Sequence, residues 1–116
     1  MESRAKTRAV GMLGFAMRAG KVVIGTDLTL RAIASRGRGR VELVLVTSDA
    51  SEATRKRVFN KCEFYKREVR ELWLNSSELG DLLGKAFAPV TVGVADEAFA
   101  TEIKKAIAAI GDGDKS

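Results

Sequence analysis

The residues 22–33, VVIGTDLTLRAI, combine side chains suited to holding an anion. Val22, Val23 and Ile24 read as a short buried strand, Gly25 breaks it, and Thr26 opens a helix. The first N–H groups of a helix have no intrahelical partner and lie at the positive end of its dipole, so a phosphate or carboxylate can be held there. Lys21 precedes the strand and Arg31 lies in the helix, with Thr29 and Arg31 read on or near its exposed side. The plain alternative is a helix capped by Thr26 or Asp27, with Leu30, Ile33 and Ala34 facing the core. A second stretch, GKAFAP (84–89), sets Phe87 in a polar-flanked loop, with Pro89 marking entry into a strand. Phe87 either tucks back under that loop or offers its ring face to an unpaired base.

Other chemistries lack their residues. The chain has no histidine, which removes Ser-His-Asp and Cys-His arrangements and every histidine-containing metal site. Its one cysteine, Cys62, lies in the apolar stripe of a helix and reads as a small buried hydrophobe. GDLLGK (80–85) has three residues between its glycines, where a phosphate loop has four, and Ala86 stands where Ser or Thr would bind magnesium. GDGD (111–114) lacks the length and the later glutamate of a calcium loop. Asp49 and Asp96 sit at helix starts and need no catalytic role.

Charge is unevenly spread. Net charge is +5, but residues 1–40 carry nine Lys/Arg against Glu2 and Asp27, whereas residues 71–116 carry four against eight acids. A basic half joined to an acidic half is the footprint of a polyanion-binding face. RGRGR (36–40) adds to it, although Gly37 can also end a helix and the arginines can simply be solvated. With 116 residues, 46% hydrophobic and 30% charged, the chain is expected to form one domain over 1–116, with a frayed tail from about 111. A single cysteine, no membrane-length apolar run and no signal-peptide core fit the cytoplasm of a cell.

The elements that must position these residues alternate. Ser3 caps a helix over about 4–19 with Val10, Leu13 and Met17 on one face, and Gly20 stops it. Strand 22–24 and helix 26–36 follow, then the strand VELVLVT (41–47). Asp49 with Glu52 resembles a capping box for a helix to about residue 66, whose inner face is Val58, Cys62 and Tyr65. VRELWLN (69–75) alternates as a strand, and Asn75 with Glu78 caps a short helix ended by Gly84. PVTVGVA (89–95) is a buried strand, and helix 96–110 turns Phe99, Ile103, Ile107 and Ile110 inward. Val44, Leu45, Phe99 and Ile103 are expected in the core. Four strands alternating with five helices imply an α/β protein, a three-layer α/β/α sandwich.

In this order, GKVVIGTDLTLRAI (20–33), ELVLVTSDASEATRKRV (42–58), KCEFY (61–65), ELGDLLGK (78–85) and VTVGVADEAFA (90–100) resemble the kink-turn-binding ribosomal protein family, the L-seven-Ae superfamily, in its small bacterial YlxQ-type branch. The likeness runs from about residue 8 to residue 110 and implies a four-stranded mixed sheet. In RNA-binding members the loop after the first strand reads Gly-Thr-Asn-Glu-Thr-Thr-Lys and grips sheared G·A pairs and adjoining phosphates of a kink-turn. Here Gly25, Thr26 and Thr29 match and Arg31 stands for the lysine, while Asp27 replaces an amide and Leu28 the glutamate that accepts from guanine. The family's apolar loop, which meets flipped-out bases, falls on Lys85, Ala86, Phe87 and Ala88.

The resulting expectation is a non-enzymatic protein that binds structured RNA, a kink-turn or a related ribosomal RNA element. Its contacts would be Lys21, Gly25, Thr26, Asp27, Leu28, Thr29 and Arg31 with the loop 85–88, without cofactor, metal, membrane or small-molecule substrate. The rival expectation is a protein-interaction module that keeps the fold without RNA recognition, to which Leu28 points.

Overall fold

The structure, a computed structural model, describes residues 3–35, 37 and 39–111. Nine elements follow in order: α1 (Arg4–Arg18), β1 (Val22–Ile24), α2 (Thr26–Ile33), β2 (Leu43–Val46), α3 (Glu52–Tyr65), β3 (Glu68–Glu71), α4 (Ser76–Leu82), β4 (Thr91–Val94) and α5 (Glu97–Gly111). The strands form one mixed sheet in the order β1-β4-β2-β3, with β4 antiparallel to both neighbours and β2 parallel to β3.

Strand alternation builds the layers. Leu43, Leu45, Val92 and Val94 point to one face, where they pack with Leu13 of α1, Leu79 of α4 and Ala100 and Ile103 of α5. Val44 and Val46 point to the other face, against Leu30 and Ile33 of α2 and Val58 and Cys62 of α3. The expected sandwich is therefore present, and β2 is buried on both faces.

Gly93 explains how closely α2 approaches the sheet. A Cβ there would lie 2.7 Å from Val41 Cγ2 and 3.0 Å from Thr29 Cγ2, so those side chains occupy the space above the glycine. Thr29, expected near the exposed side, is accordingly 0% exposed. It lies four residues before Ile33, so the buried stripe of α2 is Thr29, Leu30 and Ile33, and Ala34 is exposed.

Two other local readings change. The N-cap of α3 is Ser51, whose side chain accepts from the Thr54 N–H, and not Asp49. Asp49 instead accepts from the Ser76 N–H at 2.9 Å and the Ser76 hydroxyl at 2.8 Å, fastening the start of α4 to the loop after β2. Phe99 is only half-buried, because Ala100, Ile103 and Ala106 form the face of α5 that meets the core. The Asn75–Glu78 capping box and the Ser3 cap stand as expected. Arg36, Arg38 and the tail 112–116 lie outside the described residues.

Candidate nucleic-acid interface

Gly25 itself occupies the N-cap of α2, and no side chain caps the helix. Its backbone, at φ +108° and ψ 147°, is in a region that side-chain-bearing residues rarely adopt, which lets the chain turn directly from β1 into α2. The Gly25 N–H donates to the Thr91 carbonyl at 2.9 Å, and the Thr26 hydroxyl donates to the Thr91 hydroxyl at 2.8 Å. The start of α2 is thus pinned to the first residue of β4.

Neither Thr26 nor Asp27 acts as the cap, so the amides of Thr26, Asp27 and Leu28 have no hydrogen-bond acceptor among the described residues. The first amide of the helix to be satisfied is that of Thr29, which donates to the Gly25 carbonyl at 3.0 Å. Three adjacent donors at a positive helix end can take up a phosphate or a carbonyl edge. The Thr29 hydroxyl makes a long contact of 3.4 Å to the Val23 carbonyl, so this side chain holds α2 onto β1 and faces no solvent.

Leu28 projects outward, 53% exposed. Asp27 accepts at 2.7 Å from the Arg57 guanidinium on α3, an ion pair invisible to any short sequence window. Below it an open groove runs between α2 and α3, lined by Asp27, Leu30, Arg31, Ala34, Arg57 and Lys61. Of these, sequence reading had named Asp27 and Arg31 as contacts. Arg57 and Lys61, four residues apart, flank the buried Val58–Cys62 stripe, which is the signal that could have found them.

The loop 84–90 reaches the same end of the sheet. Gly84 closes α4 at φ +69°, and the Lys85 N–H donates to the Gly80 carbonyl at 2.8 Å. The loop backbone lies flat on α4: a Cβ at Gly80 would come within 2.5 Å of the Phe87 carbonyl oxygen. Pro89 is buried, Ala86 and Ala88 are exposed, and Lys85 is half-buried. The Phe87 ring does not tuck under the loop; it stands 57% exposed on a fixed backbone. The Val90 carbonyl then accepts from the Thr47 N–H at 3.0 Å, so the loop enters β4 between the ends of β1 and β2. Residues 25–28 and 86–88 therefore share one end of the sheet.

Lys21 does not join them. Its carbonyl accepts from the Ala95 N–H at 2.8 Å at the other end of β1, about 13 Å of strand away from Gly25. That far end also holds Arg40, which pairs with Glu42 at 3.1 Å. Catalytic alternatives gain no support: no cluster of three metal-ligating side chains exists among the described residues, and burial pushes the Cys62 thiol up to about 11. No helix among the described residues is long and apolar enough to cross a membrane.

Comparison with known proteins bears on the family and the fold. The family model for the ribosomal protein L7Ae/L30e/S12e/Gadd45 family matches residues 8–104. The RNA-binding protein YlxQ of Bacillus subtilis is 41% identical over 92 residues, 79% of this chain and 87% of its own length. The RNA-binding protein YlxQ of Enterococcus faecium is 35% identical over 103 residues, 88% of this chain and 93% of its own. A structure of a protein with unknown function from Bacillus halodurans superposes with a TM-score of 0.78 at 29% identity, covering 92% of this chain and 99% of that one. The Giardia lamblia 15.5kD RNA binding protein shares the fold at a TM-score of 0.72 and 12% identity, covering 96% and 91%.

Proposed function

This chain belongs to the ribosomal protein L7Ae/L30e/S12e/Gadd45 family, and on that footing we propose that it is a non-enzymatic cytoplasmic protein that binds structured RNA, with a kink-turn or a related ribosomal RNA element as its target. The observation that carries the reading is the convergence of the uncapped start of α2 and the exposed Phe87 at one end of the sheet, through the bond from Gly25 to Thr91. Free amides and Arg31 supply donors for phosphate and base edges, and Phe87 supplies a face for an extruded base. Thr29 serves this site by locking α2 against Gly93, and Lys21 has no part in it.

Asp27 and Leu28 set which edges can be read. A carboxylate only accepts, and Asp27 already accepts from Arg57, so it donates nothing to a base. Leu28 can make only apolar contact. Filter binding against a kink-turn stem and an unstructured RNA of equal length tests the reading: the kink-turn is expected to bind more tightly at equal salt. Leu28→Glu supplies an acceptor for guanine and is expected to tighten kink-turn binding despite the added negative charge. Weakening instead would show that residues 25–31 read no G·A pair. Equal binding of both RNAs would refute structural recognition. The exposed Leu28 favours the rival reading, a protein-interaction module, and absence of any RNA binding would establish it in place of this one.

A further inference from the structure

The groove between α2 and α3 leads away from the start of α2, and of its lining the proposed contacts use only Asp27 and Arg31. Arg31 and Lys61 lie along it without an ion pair among the described residues, and Arg57 stands at its mouth. Asp27 would repel an anion there, but the Arg57 guanidinium meets it at 2.7 Å. A guanidinium has five N–H donors, and this pairing leaves others open to a second acceptor. Asp27 thus positions Arg57 and contributes no unpaired negative charge to the groove.

Aromatic surface continues the stripe. Phe64 is 77% exposed. It follows Arg57 by seven residues and Lys61 by three, so all three lie on one side of α3, about 6 Å and then 4.5 Å apart along the axis. Phe64 meets Tyr65 edge-on at 4.9 Å between ring centroids, and the Lys61 ammonium lies 5.7 Å from the Tyr65 ring centroid. The Tyr65 ring, half-buried against the core, therefore braces both the exposed ring and the cation beside it.

A positive groove with an exposed, braced aromatic ring one turn beyond Lys61 on α3 has the chemistry of a single-stranded nucleic-acid track, in which cations follow the backbone and a ring stacks a base. We infer that the α2–α3 groove holds a single-stranded RNA segment continuing from the structured element, with phosphates on Arg31, Arg57 and Lys61 and a base stacked on Phe64. The inference rests on the RNA-binding reading and extends it to a second surface.

The test compares two probes: a blunt kink-turn stem-loop, and the same stem-loop carrying a twelve-nucleotide oligouridine extension at either end. One extension is expected to tighten wild-type binding about tenfold, as for one stacked base and one or two added phosphate contacts. Phe64→Ala should remove most of that gain without changing the salt slope. Lys61→Ala should remove part of it and lower the slope by about 0.7. Both variants should bind the blunt stem within about twofold of wild type and melt as wild type does, since both side chains are exposed. A blunt stem that binds while neither extension adds affinity overturns the groove and leaves the RNA reading intact. Failure of both probes removes the two together. Lys61-dependent binding of a polyglutamate peptide, with no gain from either extension, assigns the groove to a protein partner and overturns the inference.

Discussion

The cleft at the far end of the sheet and the groove between α2 and α3 both gather cations and use them differently. At the far end Arg40, Lys66, Arg67 and Lys104 surround a cleft that also contains Glu42, Glu68 and Glu97, and Arg40 is paired with Glu42. Along the α2–α3 groove Arg31 and Lys61 have no carboxylate partner among the described residues, and three amides at the start of α2 lack acceptors. Carboxylates interleaved among the far-end cations oppose an incoming polyanion, whereas the groove holds one carboxylate, Asp27, already engaged by Arg57, and free amides on a rigid frame leave a demand that an RNA can meet. A polyanion site is therefore marked by cations with no free carboxylate among them, and net charge along the chain is a poor guide to where they are.

Glycine substitution gives the largest contrast. Gly25→Val forces a β-branched residue to φ +108° and should cost about 1–3 kcal/mol of stability while displacing the start of α2 and weakening RNA binding. Gly39→Val, at φ +84° in the far-end loop, should lower the melting temperature with RNA affinity per folded molecule unchanged. Thermal melts with filter binding check both. If Gly39→Val weakened binding as much as Gly25→Val does, the assignment of function to one end would be wrong.

Next in size is the exposed ring. Phe87→Ala should cost about 1–3 kcal/mol of binding to RNAs that present an unpaired base, leave the salt slope nearly unchanged and leave stability intact. Arg31→Ala should weaken binding less selectively and lower the salt slope by about 0.7–0.9, the value for one phosphate no longer neutralised. Lys21→Ala, which removes an equal charge at the other end, should leave that slope unaltered. A slope that falls equally in both variants would reduce the site to diffuse attraction.

The smallest effect concerns the tether from the near end to α4. Hydrogen bonds from the Ser76 hydroxyl and N–H hold the Asp49 carboxyl below its ordinary pKa. A carboxyl depressed in the folded state contributes stability that is present above its unfolded value, near 3.9, and is lost as pH falls through the folded value. The melting temperature of wild type should therefore fall more steeply below about pH 4 than that of Asp49→Asn. Parallel curves would mean that the tether contributes nothing to folding.

Much of the frame was legible because its signals are local. Strand 22–24, the Ser3 cap, the Asn75–Glu78 box and the stop at Gly84 each depend on residues within about one helical turn, so spacing alone finds them. The double burial of β2 followed from its unbroken apolar run. The family resemblance carried the two site loops, 25–31 and 85–88, which periodicity alone left ambiguous between caps and contacts.

What sequence could not decide lies across space. Whether Thr29 faced solvent or core depended on the empty space above Gly93, sixty-four residues later in the chain, and only packing revealed it. In sequence Asp27 was only a carboxylate in place of the family's amide; the fold brought Arg57 to 2.7 Å from it. Lys21 stood beside Gly25 in sequence, yet an extended strand advances about 3.3 Å per residue, so four residues sufficed to move it to the opposite end of the sheet. Local hydrogen bonding and hydrophobic period determine which elements form; which side chains meet is set by the antiparallel register of β1 on β4 and the stacking of α2 beside α3, because those contacts join residues that no sequence window contains.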